Sequence, residues 1–190
     1  MSWSKLKQQL ESFLSPALQG KVEYRATGYR YLPDKAGICY ITVNKKNVLN
    51  LNDATIPIKW YQSEQEIKNA LIHIDILLSH EEIEAVRLSM NGKVPEDRLA
   101  IIARDRKITE AAKEIQAAHA ALIKSNFTAV ANRFLSTPIE ESIDSKDILL
   151  TILALVDRRV GKKRLLNMSQ KIKLKHPAVQ YFYELRLHSF

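Results

Sequence analysis

The chain has few of the residues that staple, break or hide a fold. Cys39 is the one cysteine among 190 residues, so no internal disulfide can form and a secreted, bridge-built fold is excluded. It lies on an expected strand with no basic neighbour in sequence to lower its pKa, so no reactive thiol is expected either. Glycine and proline number only five and six, and no repeat or low-complexity tract interrupts the chain. A long hydrophobic run is missing too. The nearest, ILLTILALV (148–156), is bounded by Asp147 and Asp157 and is less than half of what a bilayer crossing needs, so it reads as a buried helix. The opening residues MSWSKLKQQLESFL are amphipathic and lack the continuous apolar core of a signal peptide. A soluble, cytoplasmic protein without membrane contact is the expectation.

Recognised chemical motifs are also missing. There is no GxSxG, no P-loop and no GxGxxG. His73 and His80 stand seven apart with Asp75, Glu81 and Glu82 nearby, but this matches no metal-site spacing, so capping and solvated-face roles are expected. Neither a metal nor a cofactor is called for, and an enzyme is the less favoured class.

What is present is an ordinary globular composition, 46% apolar and 26% charged, in a chain long enough to bury a core. One domain over 1–190 is expected, with a helix and meander in 1–60 and a mainly helical part in 61–190. Trp3, Leu6, Leu10, Phe13 and Leu14 recur at helical steps behind Ser2 as cap. Beyond Gly20 the period becomes two: Val22, Tyr24 and Ala26 alternate with charged and polar residues. At Gly28 the alternation slips to Tyr29 and Tyr31, which predicts a bulge or a break. Turns at Pro33–Gly37 and Asn44–Asn47 flank a returning strand at Ile38–Val43 and precede a third at Val48–Leu51.

From Ser63 onward the pattern is helical. Ser63–Glu66, Ser79–Glu82 and Thr137–Glu140 have capping-box spacing. The first of these helices is expected to carry Ile67, Ala70, Leu71, Ile74 and Leu78. Pro95 is expected to open another helix, Thr109 to cap a separate long one reaching Phe134 or Leu135, and Ser145 to cap the apolar run. A final helix begins at Pro177. The fold class is therefore α+β: an N-terminal helix and small antiparallel meander followed by a helical bundle.

Charge is uneven. The net charge is +8, and the basic excess lies in the two ends of the chain, with residues 61–135 near neutral. LVDRRVGKKRLLNMSQKIKLKHP concentrates it: Arg158, Arg159, Lys162, Lys163, Arg164, Lys171, Lys173 and Lys175 stand against Asp157 alone. Two structural accounts compete with a functional one. Cations after an apolar helix complement its dipole, with Gly161 just past its end. KIKLK as an edge strand would use lysines to discourage aggregation, and Ile172 and Leu174 would bring that strand to the meander. The functional account is phosphate binding with low sequence preference. A helix-turn-helix aligned on Gly161 fails, because Asp157 and Asn167 fall where small and apolar residues are needed.

YRATGYRYLPDK interleaves Tyr and Arg as base-stacking sheets do, so Arg25 and Arg30 could extend the patch, although a half-buried amphipathic strand explains the same pattern. Asp34 with Asn44 and Lys46 gives a degenerate PD-(D/E)xK nuclease pattern in which a neutral amide stands where the second metal-holding acid belongs. A protein-interaction module, immunity or regulatory, using an apolar helical face is the alternative to nucleic-acid or acidic-protein binding.

The blocks WSKLKQQLESFL, YRATGYRYLPDKAGICYITVNKK, KWYQSEQEIKNA, ILALVDRRVGKKRL and KHPAVQYFYELR together resemble a family of small, uncharacterised bacterial cytoplasmic proteins, nearly end to end. The resemblance implies bacterial origin and one domain. It carries over no catalytic or binding residue.

Overall fold

A computed structural model describes residues 2–28, 37–49, 61, 63–124 and 127–190. The N-terminal pattern folds as its spacing requires. Ser2 caps α1 (Trp3–Phe13) by accepting the Lys5 N–H, and Leu6 and Leu10 are buried. A single 3-10 turn (Pro16–Leu18) follows, and Gly20, at φ +74, turns the chain into the sheet.

The sheet has three antiparallel strands in the order β1 (Val22–Gly28), β2 (Gly37–Val43) and β3 (Lys46–Asn47). Val22 pairs with Val43 and Tyr24 with Ile41, and these four form its buried face. The third strand is only Lys46–Asn47, inside the expected turn; Val48 and Leu49, expected to open it, form a bend, and the rest of the expected strand lies outside the described residues. Asn44 and Lys45 both adopt left-handed backbone (φ 50 and 65), a two-residue hairpin loop, so Lys46 already pairs with Val43. Pairing is regular up to Gly28. The expected slip at Tyr29 to Tyr31, with Arg30, and the turn over 33–36, with Asp34, lie outside the described residues.

The helical part comprises α2 (Glu64–Leu71), α3 (His80–Ser89), α4 (Glu96–Lys124), α5 (Phe127–Ser136), α6 (Ile139–Ile143), α7 (Ile148–Leu155), α8 (Lys162–Ile172) and α9 (Pro177–Leu187). Both arms of the capping box form at Ser79 and Glu82, and Ser63 accepts the Glu66 N–H.

Several boundaries differ from expectation. α2 stops at Leu71, before Ile74 and Leu78, and the carbonyls of the segment that follows are claimed from α4. Arg104 donates to Ile72 O and Ile74 O, and Lys107 to Leu77 O at 3.0 Å. Thr109 caps nothing: it is half-buried inside α4, which runs 29 residues without a Gly or Pro to interrupt it. That helix is described as far as Lys124, and Phe127–Ser136 is again helical, while residues 125–126 between them lie outside the described residues. Thr137 turns its hydroxyl back to the Arg133 carbonyl at 2.7 Å, so the box expected there does not form. Asp147, not Ser145, caps α7, and the Ser145 hydroxyl accepts the Asp147 N–H. KIKLK is no strand: Lys171 and Ile172 finish α8, and Lys173 and Leu174 lie in the turn beyond it.

The main core joins α1, the sheet and α5 to α9 around α7, all eight of whose residues are buried. α2 packs on α4 through Ile67, Leu71, Ile108 and Ile115, and α3 packs on α4 through Val86, Leu99 and Ala103.

Candidate anion-binding surface

The eight late cations fall into two groups, one at each end of α8. Helix α8 buries Leu165, Met168 and Ile172 and leaves Lys163, Asn167 and Gln170 exposed on its other side.

The first group is built on the turn between α7 and α8. Its anchor is Asp157, fully buried, whose backbone bridges Leu14 beside α1. The Arg158 N–H donates to the Phe13 carbonyl at 2.8 Å, which leaves the Arg158 side chain exposed. Arg159 folds back on the turn. Its Nε lies 3.1 Å from both Asp157 carboxylate oxygens and its Nη2 lies 2.7 Å from Oδ2, while its guanidinium sits 4.5 Å from the Phe13 ring centre. That fork holds the Arg159 pKa above its ordinary value, so Arg159, although partly exposed, is already paired. Arg164 pairs with Glu140 at 2.9 Å, which in turn holds the Glu140 carboxyl below its usual range.

Lys162 and Lys163 are exposed on the first turn of α8, behind Gly161 as N-cap. Gly161 supplies no side chain to the free backbone N–H groups at this end. The cations therefore sit at the positive end of a helix dipole, the reverse of the complementary arrangement expected from sequence. Each arrangement of this kind is unfavourable by about 0.3–1 kcal/mol. The Lys162 ammonium lies 5.9 Å from the Phe190 ring, and Lys163 has no ion pair among the described residues.

The second group sits at the corner between α8 and α9. Lys175 lines three adjoining depressions of about 370, 300 and 260 Å³. Lys171 and Lys173 line the 300 Å³ depression with it, and Lys171 also lines the 260 Å³ one. Helix α4 adds Lys107 to this corner, and the loop before α7 adds Lys146. Sequence reasoning missed both, because nothing local marks a lysine that reaches the corner from another element. Carboxylates offset part of the charge: Lys107 meets Glu82 at 2.6 Å, Lys146 meets Glu114 at 3.3 Å, and Lys171 meets Asp144 at 3.9 Å. The Lys173 ammonium approaches the Asp75 carbonyl at 3.5 Å. Among the described residues, Arg158, Lys162, Lys163, Lys173 and Lys175 have no carboxylate within ion-pair distance.

The sheet contributes less. Arg25 pairs with Glu23 beside a shallow depression lined by Lys7 and Glu11. Tyr24 is buried against Phe127, with ring centres 6.3 Å apart, so it offers no stacking surface. Burial, aided by Asp157 and Glu11, pushes its phenol pKa up. Arg30 lies outside the described residues, as does Asp34. Asn44 occupies the hairpin loop and Lys46 begins β3, so the two do not share a strand as the nuclease pattern requires. Burial raises the Cys39 thiol pKa, with a Thr128 hydrogen bond opposing. No group of three or more His, Cys, Asp or Glu side chains placed to hold a metal ion occurs among the described residues.

Fold and surface together define an α+β protein with a helical majority, whose late cations lie at the two ends of one half-buried helix. The chain belongs to the SF0329 protein family, which matches residues 2–187. No curated protein and no solved structure matches it.

Proposed function

We propose that this protein is a non-enzymatic binding module that holds an anionic polymer, nucleic acid, along the outward face of α8, in a bacterial cytoplasm. The observation that carries this reading is the position of Lys162 and Lys163. They oppose the helix dipole and no carboxylate among the described residues pairs with them, so helix electrostatics gives no reason for their presence. A phosphate would gain both the ammonium groups and the uncapped amides behind Gly161. Helix α8, eleven residues and about 16 Å long, carries this turn at one end and the lysine corner at the other, a span on which a polyanion can meet both groups. Asn167 and Gln170 lie exposed between them as hydrogen-bond donors.

Retention on heparin and on single-stranded DNA at low salt, lost as salt rises, is the expected behaviour. The Lys162→Glu/Lys163→Glu double variant should elute at clearly lower salt. Elution unchanged by that double reversal would remove α8 from the account. Pull-down from a lysate with and without nuclease treatment identifies the polymer.

A second reading has its own observation. Leu88 and Ile101 are 76% and 60% exposed on α3 and α4, which favours a protein partner docked on that helical pair. Its signature is a partner whose capture survives nuclease treatment and fails when Leu88 and Ile101 are both changed to Lys.

A further inference from the structure

Phe190 is 52% exposed, and its ring stands beside the first turn of α8, with the Lys162 ammonium 5.9 Å from its centre. The ring is seated on a buried cation. Arg186 of α9 is only 4% exposed, and its guanidinium lies 4.2 Å from the ring centre. That guanidinium is itself fixed. It donates through Nη2 to the Val160 carbonyl at 3.0 Å, just ahead of the Gly161 N-cap, and through Nη1 to the Ser189 hydroxyl at 3.0 Å. The Ser189 hydroxyl and N–H both return to the Arg186 carbonyl, at 2.7 and 3.2 Å. The turn that carries the ring is therefore set before any ligand arrives. Because the cation beneath is covered and the ring is half in water, the ring turns one side inward to Arg186 and the other outward.

The charge close to this ring is positive. Neither Lys162 nor Arg186 has a carboxylate within ion-pair distance among the described residues. Asp157, whose charge acts on Arg186, is engaged by the Arg159 fork. Covering Arg186 explains an apolar side chain at position 190, and any hydrophobe would serve for that. A flat aromatic face in water beside unneutralised cations has a further use: bases stack on such rings while their phosphates meet the cations.

We propose that Phe190 stacks one unpaired base of a single-stranded nucleic acid whose neighbouring phosphate lies on Lys162. The inference rests on the polyanion reading of α8 and narrows its ligand to a strand with accessible base faces. A duplex hides those faces against one another, and heparin has no flat ring to offer.

Oligothymidine of about ten nucleotides, within the site sizes of single-strand binders, an abasic strand of the same length and heparin are the probes, compared at one low salt concentration. The wild type should bind oligothymidine about tenfold more tightly than the abasic strand, the effect of one stacked base. Phe190→Leu keeps an apolar cover over Arg186 and should erase that preference while heparin affinity stays the same. Phe190→Trp should keep the preference or raise it. Circular dichroism verifies folding, and the wild-type comparison together with Phe190→Trp decides the matter if Phe190→Leu does not fold. Equal affinity of the wild type for the two strands, or a preference that survives Phe190→Leu, overturns the stacking; heparin retention still sensitive to Lys162→Glu/Lys163→Glu then leaves the α8 reading standing. Failure to bind either strand or heparin overturns both.

Discussion

Asp157 and Arg159 stand two residues apart in a turn and neutralise one another under the rings of Phe13 and Phe134. Asp157 is fully buried, while the Arg159 side chain keeps 38% of its surface in water. Removing the carboxylate also strips the Arg159 N–H of its acceptor at 2.7 Å. Breaking a buried pair costs about 3–5 kcal/mol, and Arg159 can return to solvent, so Asp157→Ala should lower stability by about 2 kcal/mol in urea unfolding. A loss under about 0.5 kcal/mol, the level of an ordinary surface change, would show that the fork does not hold the turn. In sequence Asp157 is only the acid that ends an apolar run. Its burial depends on α1 folding over it, and no residue near it in the chain signals that.

Helix α8 is where a local rule is broken. Cations belong in a last turn, and Lys162 and Lys163 occupy a first. The Lys162→Glu/Lys163→Glu variant should therefore bind anions less well and yet be more stable, by about 1 kcal/mol from the dipole, read as a raised Tm. A lowered Tm would mean that these lysines serve the fold. The sequence pattern gave the cations correctly and the helix end wrongly, because Gly161 can close one helix or open the next. Ser145 and Thr137 failed as caps for a related reason. A hydroxyl chooses among nearby backbone partners, and Asp147 or the Arg133 carbonyl lay within reach. The cap at Ser63 and the box at Ser79 were legible since their partners are three residues away.

Five late cations lack a carboxylate among the described residues, and a single-stranded polymer meeting all of them would release counterions at each contact. The plot of log binding constant against log salt should then have a slope of about −3.5, reduced by about 1.4 when Lys162 and Lys163 are removed. A slope near zero would exclude a phosphate backbone as the partner. Sequence alone determined the α+β class, the buried α7, the antiparallel pairing of β1 with β2 and the identity of the basic residues. Periodicity and turn chemistry act over a few residues, and those features need nothing more. Only the tertiary structure decided which cations are spent on Asp157, Glu140 and Asp144, and which remain. It alone brought Lys107 and Lys146 to the corner of Lys175, because charge pairing and cavity walls are made by side chains that meet across elements far apart in the chain.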